Sequence, residues 1–331
     1  MISKKADIAK TMSEAKLKNN YISVDTGSEL SFGGSQLWFD KMIQKCGCSL
    51  IAAADVMLYL QSRRLNSERT LHVSESGKSS GSESKILKSP NTVSPVSGNN
   101  TWDDLEKLNS VHIDIKAYKK YIRRISPAFP FIPYRGIPAV ILTASLNLYM
   151  RIRKLPYKAV FGTGVTKHKA LSAISQFAQY RTHTGKDSIS EQLRNDAHNN
   201  KNKFQQLLNL KLPSAFSLCN TRQALCDAIT ASLEQDLPVI LGIGPGVHQS
   251  LLPNAERGIT FYAYSKKTDA YAPVKKVRSH FVVVTGIKDD LLTVSSWGCK
   301  YYISLTEYAR YSKLDMFGLF SNIIYLTEGS L

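Results

Sequence analysis

The chain has 331 residues, 43% of them apolar, an ordinary content for a soluble protein and enough to bury a large core. Its formal charge is +17, and its five cysteines are odd in number and irregularly spaced, which argues against a disulfide framework and against zinc. No secretory signal is visible in the polar start and the longest apolar run, 137–150, is too short to span a bilayer, so the sequence reads as a cytoplasmic protein with no transmembrane segment, metal or cofactor.

Taken in chain order, residues 1–20 read as a helix or a frayed tail, and 30–39 as a Gly-containing loop rich in aromatics. The segment Cys46–Leu60 reads as one helix, apolar round much of its circumference and therefore buried. Gly47 allows a tight turn at its start, and the run Ala52-Ala53-Ala54 favours helix and close packing. Residues 62–101 turn Ser-rich, as in Ser74-Glu-Ser-Gly-Lys-Ser-Ser-Gly-Ser-Glu-Ser84, and read as a flexible inserted loop.

A capped helix is expected from Thr101, a basic helix over Asp114–Ile125 and an apolar one over Pro138–Lys154. Tyr157–Gly162 reads as a strand, and 165–210 as a polar helical insertion. The last third is more regular. A helix capped by Thr221 runs to about Glu234, followed by strands at Val239–Ile243 and Ile259–Tyr264. A hairpin joins Phe281–Thr285 to Leu291–Val294 through a turn at Gly286–Asp290. Tyr301–Ser304, a short helix over Leu305–Tyr311 and a strand at Asn322–Leu326 complete the chain. Helices first and an antiparallel sheet last make an α+β layout, a single domain over 1–331.

Residues 111–215 carry 18 Lys and Arg against 4 Asp and Glu. Such a region attracts an acidic partner, whether anionic lipid, nucleic acid or acidic protein, or serves as a solvated face.

The chemistry-bearing residues lie elsewhere. A cysteine at the N-terminus of a buried helix meets unpaired backbone N–H groups and the positive end of the helix dipole, both of which stabilise a thiolate. Cys46 and Cys48 both fit that position. His280 precedes a strand, where it can face the start of a helix packed on the sheet and act as base for the thiol. Fifteen residues on, Ser295-Ser-Trp-Gly298 returns a short polar residue and a water-excluding Trp to the neighbouring strand.

These residues, in this order, resemble the papain-like cysteine peptidases. More narrowly, they resemble double-glycine-leader (bacteriocin-processing) peptidase-like bacterial proteins. The resemblance rests on Gly33-Gly-Ser-Gln36-Leu-Trp-Phe39, Gly47-Cys48-Ser-Leu-Ile-Ala-Ala-Ala-Asp55, His280-Phe-Val-Val-Val-Thr-Gly286 and Ser295-Ser-Trp-Gly298. It implies a papain-like α+β fold and a peptide or protein substrate. It also implies Cys48 as nucleophile with Cys46 as rival, His280 as base in a thiolate–imidazolium pair, and Gln36 or Gln44 in the oxyanion hole. The third position falls on Ser295, where the family has Asn or Asp, and a hydroxyl orients imidazole less firmly. Two other functions fit the same residues: a thiol acyltransferase or amidase, and a catalytically decayed module that binds through the basic region.

Overall fold

The computed structural model describes residues 14–76, 112–129, 136–163, 216–219, 221–244, 258–312 and 322–329. In chain order the elements are β1 (Ala15–Lys16), β2 (Ser23–Asp25), β3 (Leu30–Phe32), a 3-10 turn (Gln36–Trp38), α1 (Lys41–Cys46), α2 (Cys48–Ser76), β4 (His112–Asp114), α3 (Ile115–Ile125), α4 (Ala139–Ile152), β5 (Tyr157–Thr163) and β6 (Phe216–Leu218). There follow α5 (Arg222–Glu234), β7 (Val239–Ile243), β8 (Ile259–Ser265), β9 (Ala270–Val277), β10 (His280–Lys288), β11 (Leu291–Ser296), β12 (Cys299–Ser304), α6 (Leu305–Ser312) and β13 (Asn322–Glu328). The fold is α+β, as expected: six α-helices among the described residues and one large, mostly antiparallel sheet.

That sheet has ten strands in the order β6-β5-β13-β7-β10-β11-β12-β8-β9, with β1 pairing to β10 beyond the end of β7. Only the β5–β6 pair in it is parallel. β10 is central and is buried from His280 to Ile287, which explains its unbroken apolar run. A second, three-stranded sheet, β3-β2-β4, lies apart from it. Helix α2 packs on β10, with Leu50, Val56, Met57, Tyr59 and Leu60 almost wholly buried.

Local chemistry sets the helix ends. Asp40, Asp114 and Thr221 cap α1, α3 and α5, each accepting from backbone N–H groups two or three residues on. Helix α3 buries Tyr118, Tyr121, Ile122 and Ile125 at helical spacing, while Lys116, Lys120, Arg123 and Arg124 lie exposed. The Asn147 side chain takes both the N–H and the carbonyl of Ala159, each at 2.8 Å, and so ties α4 to β5.

Several expectations need correction. The expected Cys46–Leu60 helix is two helices broken at Gly47, and α2 runs on to Ser76, so residues 62–76 are helical rather than a flexible loop. Arg63 holds that extension down, reaching Glu328 at 3.3 Å and the Asp236 carboxylate at 3.6 Å. Of the first twenty residues, 14–20 are described and hold no helix: Ala15–Lys16 form β1, which completes the edge of β10 that β7 leaves open. The hairpin turn is shorter than expected: β10 continues to Lys288, and Asp289 takes a left-handed φ of 55°. Strand β9 was not foreseen, since its residues are exposed on both faces and show no alternation. The remainder of the Ser-rich stretch, 77–101, the helix expected from Thr101 and the insertion expected at 165–210 lie outside the described residues.

Asp236 joins three parts of the fold. It is buried in the turn before β7 with a left-handed φ of 61°. Its carboxylate accepts from the Lys18 and Asn19 N–H groups at 2.6 and 3.2 Å and from the Tyr59 hydroxyl at 2.5 Å. Asp236→Ala strands the Lys18, Asn19 and Tyr59 donors together and removes one of the two carboxylates beside Arg63, and should cost about 3 kcal/mol or more in urea denaturation. Asp236→Asn, which tolerates the backbone conformation, should cost clearly less.

Candidate active site

The site starts at the break between α1 and α2. The Gly47 N–H closes α1 on the Ile43 carbonyl, and a Cβ at Gly47 would collide with that carbonyl and with the Ile43 side chain. Helix α2 therefore begins immediately at Cys48. The backbone N–H groups of Cys48 and Ser49 at this new N-terminus point to the Cys48 sulfur.

A third donor comes from the sheet. Phe281, one residue after His280, lines the same crevice, and its backbone N–H favours the thiolate. The sequence-predicted thiol and imidazole are thus brought to one place. Cys48, His280, Phe281, Gln36, Ser296, Trp297 and Asp55 line one crevice, with room for about one water molecule. Cys46 is not part of it: its thiol donates to the Met42 carbonyl at 3.1 Å and is buried in the last turn of α1. All five cysteines are free thiols.

The two glutamines separate in the same way. Gln36 faces the crevice, and its side-chain amide is held by the Gln44 carbonyl at 2.6 Å. The Gln44 side chain turns back into its own loop, donating to the Leu37 and Phe39 carbonyls.

Ser295 is not the partner of His280. The Ser296 hydroxyl lies 2.7 Å from His280 Nε2. Ser295 donates instead to the Phe32 carbonyl at 2.8 Å. Strand alternation is the reason: the register sets Ser295 opposite Val283, three residues from His280 and so on the other face, whereas Ser296 shares the His280 face.

Trp297 completes the setting. With Gly298 it forms the two-residue turn between β11 and β12, both at left-handed φ, 50° and 75°. The Trp297 ring stacks flat on His280, with centroids 4.0 Å apart and planes 9° apart. The Gly298 backbone bonds Gly34 and Phe32, clamping the loop that carries Gln36.

Sequence reasoning passed over Asp55, which it met only as part of a motif. One acid inside a buried apolar helix must find partners. Asp55 accepts from Tyr118 at 2.6 Å, from the Gly34 N–H at 2.9 Å and from Tyr21 at 3.4 Å. A Cβ at Gly33 would strike both the Asp55 carboxylate and the Ser295 hydroxyl, so this approach demands glycine there. Asp55 thereby locks the Gly33–Gln36 loop against α2.

Electrostatics decide the resting protonation. Burial pushes the Cys48 thiol up to about 11, against the three backbone N–H groups that favour the thiolate. Burial pushes His280 down to about 3, and the nearby Lys275 cation adds to that. Burial thus favours the neutral form of both groups, thiol and imidazole, in the resting site.

No family model, no curated protein and no solved structure matches this chain. Among the described residues no cluster of His, Cys, Asp or Glu could hold a metal ion, and no helix is long and apolar enough to cross a membrane.

Burial raises the Asp55 carboxyl to about 6, against the hydrogen bonds from Tyr118, Gly34 and Tyr21. The folded pKa exceeds that of an unfolded aspartate, so the folded chain binds more protons in between. The linked stability is complete below about pH 4 and is lost as pH rises through about 6. Relative to Asp55→Asn, the wild type should lose about 2 kcal/mol of unfolding free energy between pH 4 and pH 7, read from urea denaturation of both proteins. Parallel stability curves would refute the assignment.

Proposed function

We propose that the chain is a thiol hydrolase of the papain-like kind acting on peptide bonds, with Cys48 as nucleophile and His280 as its base. The observation that carries this reading is the crevice that brings the Cys48 thiol, at a helix start, together with His280 and Phe281 at a strand start. The layout around it agrees: an N-terminal helix on the central strand of an antiparallel sheet, and a side-chain amide at the same crevice.

The neutral resting pair makes His280 a general base. With Nε2–H donated to the Ser296 hydroxyl, Nδ1 carries the lone pair that faces the work. The crevice opens to admit a peptide, and Cys48 attacks the carbonyl as its proton passes to His280. The Gln36 amide and the Cys48 N–H hold the oxyanion of the tetrahedral intermediate. When it collapses, the C–N bond breaks, His280 protonates the leaving amine, and a thioester remains on Cys48. Water then adds to the thioester with His280 taking its proton, the C–S bond breaks, and His280 returns the proton to the Cys48 sulfur as the acid leaves. Ser296, not Ser295, orients the ring, and Trp297 shields it from water. Asp55 holds the Gln36 loop in place.

The test uses p-nitrophenyl acetate, small enough for a narrow crevice, with intact-mass detection of the acyl-enzyme. Wild type and Cys46→Ala should both acylate at Cys48 and turn over. Cys48→Ala should do neither, and His280→Ala should acylate about 100-fold more slowly or worse. Ser296→Ala should lose about 10-fold in rate with little change in KM, the mark of a misoriented base. Equal p-nitrophenol release from wild type and Cys48→Ala would overturn the proposal.

A further inference from the structure

Beside the crevice lies a cation that the mechanism above does not use. Lys275 projects from β9, where the register pairs it with Phe261 of β8. Its Nζ sits 3.2 Å from the Trp297 ring centroid and 5.3 Å from that of Tyr301. Trp297 is the ring stacked on His280, and Phe261 and Tyr301 pack against it at 5.8 and 6.2 Å. Nζ at 3.2 Å and a parallel His280 ring at 4.0 Å cannot share one face of the indole, so Lys275 and His280 take its opposite faces, with the ammonium group on an aromatic floor one ring away from the imidazole.

Among the described residues no carboxylate lies within ion-pair distance of Lys275. The groups around His280 are the Cys48 thiol from α2, the Phe281 backbone from its own strand, Ser296 and Trp297 from β11 and its turn, and Lys275 from β9. Lys275 is the one cation among them, and it opposes the imidazolium that hydrolysis must form.

We infer that Lys275 is a carboxylate subsite: the substrate presents an acidic group that pairs with Lys275 above Trp297 while its carbonyl reaches Cys48. The chemical class is an acyl group or peptide carrying a carboxylate near the scissile bond. Such a ligand neutralises the cation that opposes His280, so binding the correct substrate also prepares the base. A neutral substrate leaves that field in place. The inference rests on the proposed hydrolase reading for its meaning, but the anion site itself can be tested apart from it.

Two matched pairs of small probes make the test. Iodoacetate and iodoacetamide differ only in charge, and peptide mapping gives their rates at Cys48 in wild type, Lys275→Met and Lys276→Met. Methionine keeps an apolar stem over the indole, and Lys276 lies on the other face of β9. The iodoacetate-to-iodoacetamide ratio at Cys48 should fall about fivefold in Lys275→Met and stay within about twofold in Lys276→Met. An unchanged ratio in Lys275→Met overturns the inference.

The second pair is acetate and acetamide, titrated into the Cys48→Ala protein while the Trp297 indole N–H is followed by NMR. Acetate should shift that resonance saturably, acetamide should not, and Lys275→Met should abolish the acetate shift. Equal responses to both probes, or an acetate shift that survives Lys275→Met, overturn the inference. If Cys48 takes neither reagent while the acetate shift appears, the hydrolase reading falls and the carboxylate site stands.

Discussion

One buried carboxylate holds the site together. Asp55 sits two turns down α2 from Cys48 and gathers donors from the Gly34 backbone, from Tyr118 of α3 and from Tyr21. Each of these belongs to a different stretch of chain, and none packs on α2 through apolar contact alone. A buried charge without partners is costly, so every one of these donors is constrained to the carboxylate. The consequence reaches the crevice. With Gly33 and Gly34 pressed against α2, the 3-10 turn that follows brings Gln36 to the Cys48 end of the helix.

The crevice shows a contest between two effects that act on the same sulfur. A helix N-terminus and three backbone N–H groups favour the thiolate, and this is the effect that is easy to read from a sequence. Burial opposes it and wins, because the crevice has room for about one water and the charged form loses its hydration. The imidazole meets the same fate, with Lys275 adding to it. The resting site is therefore neutral on both sides, and its chemistry depends on what enters. A ligand that opens the crevice or brings a negative charge changes the balance, whereas an empty site stays protonated on sulfur.

Much of the secondary structure was legible. Strands such as Val239–Ile243 and Phe281–Thr285 are continuous apolar runs of strand length, and a central strand buried on both faces reads in that way. The Thr221 cap marked its helix correctly, and the basic helix expected over Asp114–Ile125 is present, with Asp114 as its cap. Strand β9 was invisible because both its faces are exposed, so no alternation is written into it. The end of α2 was misjudged because Ser-rich composition suggested a loop, while Arg63 gains partners on Asp236 and Glu328 that only folding supplies.

The sequence by itself determined which residue types the site could use: a thiol at a helix start, a histidine at a strand start, a glutamine on a glycine loop and a pair of serines before Trp-Gly. Within the pairs the resemblance favoured Cys48 and Gln36, and it put the third position on Ser295 rather than Ser296. Cys48 over Cys46, Gln36 over Gln44 and Ser296 over Ser295 were decided by tertiary structure. The physical reason is the same each time. Neighbouring residues point in different directions, so a break at Gly47 and a turn at Gln36 select which thiol and which amide meet the crevice, and the register of β11 on β10 selects which of two crevice serines bonds His280. Protonation was decided there as well, because desolvation depends on what the folded chain packs around a group and is not carried by the residue itself.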